Sequence, residues 1–238
     1  MQMQMAEELK RKSAVLAARS IEEGMVVGLG TGSTVAFLLE EIARRRAAGE
    51  LQRIRCVPTS QRTAARATEL QIPLTDLAHA REVDLTIDGA DEVDPHLDLI
   101  KGLGGALLRE KIVAAASRRL IIIVDTSKRV NRLGTRSPLP VEVDPFGAAV
   151  QMEFLRSLGA EPVLRMASAN EPLVTDGGNW IIDCRFPDGI ADPAALELQL
   201  NNQPGIVENG LFIQRATEVI VAGGQGTEVL TRERVGAA

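Results

Sequence analysis

Apolar positions along the chain fall into short runs separated by longer mixed segments, and the spacing of each run predicts its element. Residues 6–22 place Leu9, Leu16, Ala17 and Ile21 on one side of a helix ending at Gly24, a residue suited to a left-handed terminus. The run MVVGLG from Met25 predicts a buried strand, and residues 33–47 predict the helix after it. The alternation continues with strand IRCV from Ile54, a helix through QRTAARATEL, strand DLTI from Asp84, helix GALLREKIVAAAS and strand LIIIV from Leu120. Short apolar strands with helices between them imply a parallel sheet covered on both faces.

At SPLPVEVDPFG the rhythm changes, with Pro138, Pro140 and Pro145 bracketing a strand at 139–143 and marking a domain boundary. Beyond it the pattern predicts helix 146–158, strand EPVLRM, a turn at TDGGNW, strand WIIDCRF, helix 193–202 and strand GIVENGLF. Asp192 and Pro193 supply that second helix with an N-cap and a first-turn proline. This order, β-α-β-β-α-β, is the split pattern of a ferredoxin-like module. After Gln214 the strand EVIVAGG returns to the parallel-sheet type, and the chain finishes with a short polar segment. The fold class read from the sequence is therefore α/β: an open parallel-sheet, Rossmann-like domain at 1–137 and 215–238, with an inserted smaller ferredoxin-like α+β domain at 138–214.

Composition narrows the function classes. No apolar run among the 238 residues is long enough to cross a bilayer, and the start, MQMQMAEELKRK, has no apolar stretch behind a basic region, so a cytoplasmic address is expected and a membrane partner is not. Cys56 and Cys184 stand far apart, outside any metal-type spacing, and read as buried small apolar residues. Lys and Arg number 27 against 32 Asp and Glu, and aromatic residues make up 3%, so neither a basic face nor stacking rings recommend nucleic acid as a partner. A small anion held by one loop remains compatible with an acidic chain.

The loop GLGTGST at 28–34 lies between a predicted strand and a predicted helix, where alternate glycines let backbone N–H groups approach a phosphate. It lacks the Gly-Lys-Ser/Thr ending of a nucleotide P-loop, and no acid follows the second strand as a dinucleotide site requires. What remains is Gly32 with the hydroxyls of Thr31, Ser33 and Thr34 at a helix N-terminus, donors suited to one phosphate monoester; a tight turn with no ligand is the plain alternative. In DLTIDGADEVD, Asp88 falls just past a strand end, with Gly89, Ala90 and Asp91 following, at the carboxyl edge where open parallel sheets bind ligands. A solvated acidic loop or a magnesium site would use the same residues.

Lys101 precedes Gly102, Leu103, Gly104 and Gly105, a flexible loop able to bring an ammonium near a substrate oxygen. Glu110 lies between Arg109 and Lys111, a triplet that is ordinarily solvated, yet GALL and IVAAA around it leave little polar surface, and burial would raise its pKa. Strand LIIIV ends in Asp125, Thr126, Ser127 and Lys128, the last of which either completes a phosphate site or sits on a loop.

Taken together, GTGST at 30–34, DGADE at 88–92, KGxGGALLREK at 101–111, D-x-SK at 125–128 and PLPVEV at 138–143 resemble the motif series of type A ribose-5-phosphate isomerases, over nearly the whole chain. The resemblance implies interconversion of ribose 5-phosphate and ribulose 5-phosphate in the pentose phosphate pathway, with no metal and no organic cofactor. It implies that Glu110 is the general base passing a proton between C2 and C1 through an enediolate, that Asp88 handles the oxygen-bound protons, that Asp91 holds substrate and that Lys101 faces the developing oxyanion. Thr31, Gly32, Ser33, Thr34, Gly89, Ala90, Gly102, Leu103, Gly104 and Lys128 match substrate-binding positions, and Lys10 is implied to reach the phosphate. One departure stands out: Leu103 occupies a position where many members carry glycine. A homodimer or homotetramer is implied as well. Two rival readings are a phosphosugar-binding sensor without catalysis, which would keep the Thr31 loop but could dispense with Glu110 and Lys101, and a coenzyme A transferase relative with a nucleophilic glutamate.

Overall fold

The computed structural model describes residues 2–232, so Met1 and residues 233–238, expected in the large domain, lie outside the described residues. The chain divides into two compact units, one made of residues up to Gly89, Ile112–Lys128 and Arg215 onward, the other of Ala90–Lys111 and Arg129–Gln214.

The first unit is organised by a six-stranded sheet in the order Gly226–Thr231, Glu218–Gly223, Leu120–Asp125, Leu85–Asp88, Val26–Leu29, Arg55–Pro58. All but the first of these run parallel, with pairs such as Gly28 beside Thr86 and Ile87 beside Ile121. Strands Val26–Leu29 and Leu85–Asp88 are buried along their full length; the first reads as a continuous apolar run, while the second buries Thr86 and Asp88 between its apolar residues. Helices Gln2–Ala18, Ser33–Ala47 and Gln61–Glu69 belong to the same unit, and Ala14, Ala17, Leu38 and Ile42 from the first two join Val27, Leu29, Leu85, Ile87, Ile121 and Ile123 in one core.

Two expectations need correction. The first helix stops at Ala18 rather than near Gly24, because Ser20 and Ile21 bond three residues back and Gly24, at φ +84, serves a separate turn closed by Met25 N–H to the Glu22 carbonyl. The segment expected as a polar finish forms the edge strand Gly226–Thr231, antiparallel to Glu218–Gly223 across the two-residue loop Gly224-Gln225. An edge strand pairs on one side only, so an exposed polar sequence can form it.

The second unit holds a four-stranded antiparallel sheet in the order Ile206–Asn209, Leu139–Val143, Trp180–Arg185, Glu161–Leu164, with helices Ala148–Ser157 and Pro193–Asn201. In chain order this is β-α-β-β-α-β with spatial order fourth-first-third-second, the ferredoxin-like arrangement expected. Asp192 accepts a hydrogen bond from the N–H of Ala195 and Pro193 opens the helix, as read from the sequence. The strand expected through EPVLRM breaks at Arg165 and resumes as Met166–Ser168, paired with Glu171–Pro172.

A three-stranded sheet of the two-residue pieces Leu211–Phe212, Leu99–Ile100 and Glu92–Val93 has no counterpart in the sequence pattern, since two residues are too few to show a period. Residues 90–111 and 129–137 also pack with this unit, although the sequence rhythm changes only at Pro138. The fully buried carboxylate of Glu92 accepts backbone N–H bonds from Gly134, Arg136 and Ser137, tying the acidic motif to the segment that leads into strand Leu139–Val143.

Among the described residues no helix is long and apolar enough to cross a membrane. Cys56 and Cys184 are fully buried, and burial raises both thiols, Cys56 to about 12. Ellman's reagent at pH 8 should therefore react with the native thiols at least ~1,000-fold more slowly than with the same thiols in denaturant, where ordinary acidity returns. Rapid modification of either cysteine in the native protein would contradict that burial.

Candidate active site

In the first unit the strand order reverses around Val26–Leu29: its sequence successor Arg55–Pro58 lies on one side and Leu85–Asp88 on the other. Open α/β sheets place ligands at such a switch point, outside the carboxyl ends of the strands. The Thr31 loop leaves one of these two ends and Asp88 closes the other.

The glycines of this loop do different work from one another. A Cβ on Gly28 would lie 1.9 Å from the Thr86 hydroxyl, and one on Gly30 would lie 2.0 Å from Asp88 Oδ1 and 2.6 Å from Asp88 Cα. These two positions are empty to admit side chains of the adjacent strand, not a ligand, which corrects the reading of all three glycines as ligand-approach positions. Gly32 differs: its φ is +131, it faces open space, and it starts helix Ser33–Ala47 with no side chain capping that helix. An uncapped N-terminus presents backbone N–H groups and the positive end of the helix dipole. Ser33 is exposed, and its hydroxyl receives a hydrogen bond from the ammonium of Lys10 at 2.9 Å, adding a cation to the same turn.

Asp88 is 1% exposed, and its Oδ1 accepts N–H bonds from Thr31 at 3.0 Å and Gly89 at 2.7 Å. The Thr31 hydroxyl is buried among those of Thr59 and Ser60, each at 2.8 Å, and Thr63 at 3.1 Å. Thr59 donates to the Leu29 carbonyl and Thr63 to the Gly30 carbonyl, so Thr31 donates to Ser60 and Ser60 in turn to Thr63. Both donors of Thr31 are thus engaged inside the protein. The hydroxyls of TSQRT at 59–63 are absent from the sequence-based set because they follow a different strand; Ser60 as N-cap of Gln61–Glu69 was the available signal. Lys128 ends the short 3-10 turn Thr126–Lys128 directly after strand Leu120–Asp125 and is half-buried.

The second unit brings together Asp91, Lys101, Gly102 to Gly104 and Glu110. Lys101 Nζ lies 3.2 Å from Glu110 Oε2, and each side chain is 3% exposed. Glu110 falls in the first turn of helix Leu107–Ala115, where the helix dipole favours a negative charge. The helical rotation of about 100° per residue separates the triplet: Arg109 reaches Asp176, Glu110 meets Lys101, and Lys111 meets Glu208 at 2.7 Å and Glu197 at 3.5 Å. The triplet is therefore not the solvated face that composition suggests. The ring of Phe212, fully buried, has the ammonium of Lys101 at 5.4 Å and that of Lys111 at 5.1 Å from its centroid, an arrangement no motif announced.

Lys101 is held through its backbone by an N–H bond to the Gly210 carbonyl at 2.9 Å, and a Cβ on Gly210 would lie 2.3 Å from the Lys101 carbonyl. Gly102, at φ +103, turns the chain, and Leu103 donates its N–H to Asp91 Oδ2 at 3.0 Å. Ala90 and Asp91 are half-buried, while Leu103 and Gly104 are exposed. The described residues contain no cluster of three or more His, Cys, Asp or Glu arranged to hold a metal ion.

These features define an open-sheet α/β protein carrying an amide-and-hydroxyl loop at its switch point and a buried ammonium–carboxylate pair, groups suited to acid–base chemistry on a small anionic metabolite. The chain belongs to the ribose 5-phosphate isomerase A (phosphoriboisomerase A) family, whose model matches residues 55–226. It is 55% identical over 224 residues to ribose-5-phosphate isomerase A of Gloeobacter violaceus, covering 94% of this chain and 96% of the relative. It is 53% identical over 217 residues to that of Roseiflexus castenholzii, covering 91% and 92%. Among solved structures, a D-ribose-5-phosphate isomerase in complex with phospho-erythronic acid aligns over 95% of this chain and 99% of its own, at 41% identity and a TM-score of 0.93. The enzyme of Methanocaldococcus jannaschii aligns over 94% and 99%, at 39% identity and a TM-score of 0.89.

Because Gly30 makes room for Asp88, Gly30→Ala is expected to destabilise the protein by about 2–3 kcal/mol, an overpacking penalty against backbone that cannot retreat. Gly32→Ala, which meets open space but keeps the unfavourable φ, should cost less, about 1–2 kcal/mol. Denaturant midpoints of the two variants check the order.

Proposed function

We propose that the chain interconverts ribose 5-phosphate and ribulose 5-phosphate through an enediolate, with Glu110 as the base that moves a proton between C2 and C1. The observation that carries this reading is the buried Lys101–Glu110 pair at 3.2 Å in a chain of this family. Proton abstraction beside a carbonyl needs a fixed carboxylate and a cation for the oxygen that becomes negative, in a place from which water is excluded. Lys101 is the cation in this scheme.

Asp88 takes and returns the oxygen-bound protons, and Asp91, with Gly89 and Ala90 leading into it, orients the sugar. Asp91 has one carboxylate oxygen on Leu103 N–H, which leaves the other for a substrate hydroxyl. The phosphate is received by Gly32, Ser33 and Thr34 at the start of their helix, with Lys10 on Ser33 and Lys128 as positive charges. Thr31 contributes by fixing the loop through its buried hydroxyl partners. Gly102, Leu103 and Gly104 line the sugar chain. The reaction uses no metal and no organic cofactor in this reading.

Assembly as a homodimer or homotetramer and a cytoplasmic address are part of the same proposal. Exposed Phe146, Val150 and Leu198 on the second unit support self-association over a monomer, and light scattering decides it.

Glu110→Gln is expected to lower kcat about 1,000-fold or more while changing KM for ribose 5-phosphate less than about 3-fold, since proton transfer and phosphate binding use different groups. Glutamine leaves Lys101 without its buried carboxylate, so the thermal midpoint should fall as well; circular dichroism of the purified variant separates unfolding from lost chemistry. Binding lost with turnover per bound substrate preserved would refute the assignment. Wild-type protein dialysed against EDTA should retain full activity, whereas activity abolished by the chelator and restored by magnesium would return Asp88 and Asp91 to a metal-binding role.

A further inference from the structure

Arg165 stands outside every motif that the sequence offers, at the break between strands Glu161–Leu164 and Met166–Ser168. Its side chain is 12% exposed, and its guanidinium makes a two-pronged pair with Asp183 through Nε, at 2.8 Å, and Nη2. Nη1 donates to two successive carbonyls, those of Gly102 and Leu103, each at 3.1 Å. The backbone of Arg165 is itself fixed, its N–H on the Ile181 carbonyl at 2.8 Å and its carbonyl receiving the Leu173 N–H at 2.9 Å. Asp183 lies in strand Trp180–Arg185, paired with Val163 on one side and Pro140 on the other.

We propose that Arg165, locked by Asp183, is a positioning residue for Lys101: it clamps the Gly102–Leu103 carbonyls to the ferredoxin-like sheet and so fixes where the lysine ammonium stands. The inference rests on the reading of Lys101 and Glu110 as the reacting pair. The loop needs an external anchor because it is glycine-rich and turns at Gly102 with φ +103. Within it, the Gly105 N–H bond to the Gly102 carbonyl closes the turn, and Asp91 holds the Leu103 N–H. Arg165 supplies donors to the two carbonyls, and a planar guanidinium alone serves a carboxylate and two carbonyls at once. A lysine in its place would reach Asp183 or the loop as a point charge but would not span both.

The test compares wild type, Arg165→Lys and Arg165→Ala as full-length protein. Arg165→Lys, which keeps a positive charge for Asp183, is expected to stay folded with its kcat for ribose 5-phosphate reduced about 10–50-fold and KM changed less than about 3-fold, the signature of a displaced reacting group. Hydrogen exchange of residues 101–105 should quicken in that variant while the four-stranded sheet stays protected. Methylguanidinium at tens of millimolar should restore at least about 5-fold of the kcat lost in Arg165→Ala and nothing in Glu110→Gln, because the cation fills the first gap and not the second.

A folded Arg165→Lys with kcat within about 2-fold of wild type, or with unchanged exchange at 101–105, would overturn the proposal. So would a loss confined to KM. Should Arg165→Ala fail to fold, the lysine variant decides alone. Wild-type protein unable to turn over ribose 5-phosphate would sink the functional reading instead, and hydrogen exchange would still decide whether Arg165 holds the loop.

Discussion

The arrangement of the second unit depends on one constraint: a positive and a negative side chain, Lys101 and Glu110, sit 3.2 Å apart with 3% of each exposed. Removing two charges from water costs several kcal/mol per ion, which their attraction offsets only when geometry is fixed and further polar partners are present. The surroundings meet that condition one charge at a time. The Phe212 ring offers its π face to Lys101, the helix start favours the negative Glu110, and Lys111 near the same ring has its own carboxylates, Glu208 and Glu197. No apolar core of similar volume would need these partners. A buried pair of this kind is what the proposed proton transfer calls for, since reacting charges must be dry before substrate arrives.

The first unit meets a different demand in the proposed reading, which is to present donors to an anion without a large basic surface. The chain as a whole carries a formal charge of −5, and the turn at Ser33 holds one lysine, Lys10. Backbone N–H groups at the start of Ser33–Ala47 supply what side chains do not, and they do so only while the loop before them keeps its course. That course is set from beneath. Asp88 fills the space left by Gly30 and binds the Thr31 N–H, and four hydroxyls from Thr31, Thr59, Ser60 and Thr63 satisfy one another and two carbonyls. A carboxylate in this position serves structure: the N–H bonds on Oδ1 fix its orientation, as the proton-handling role proposed for Asp88 requires.

How far the sequence exposes this can be argued residue by residue. Strand Leu120–Asp125 is legible from its unbroken apolar run, the helix Ser33–Ala47 from its position after the glycine loop, and strand Leu139–Val143 from the prolines that bracket it. Reading Glu110 and Lys101 as a pair needs the motif series, because eight residues lie between them and an R-E-K triplet looks solvated in isolation. Arg165, Asp183, Phe212 and Gly210 leave no local trace: each acts on residues far away in the chain, or through a ring-to-ammonium contact that carries no periodicity. Glu92 is only the last letter of DGADE in the sequence, yet it is the carboxylate that fastens residues 134–137 to the second unit. The unit boundary shifts for the same reason, since a hydrogen bond between residues distant in sequence overrides a change of rhythm at a proline.

Leu103 shows how such long-range anchoring bears on variation within a motif. A glycine position can be surrendered when the backbone does not need a left-handed conformation and when its route is fixed by groups other than the side chain. Leu103 meets both conditions. It is not among the residues with positive φ, whereas its neighbour Gly102 is, and a Cβ on Gly102 would lie 2.9 Å from that of Leu107. Its N–H is held by Asp91 and its carbonyl by Arg165, so both backbone polar groups of the residue are engaged whatever side chain it carries. The side chain, 41% exposed, is then free to differ while Lys101 stays where it is, and the glycine that cannot be replaced is the one before it.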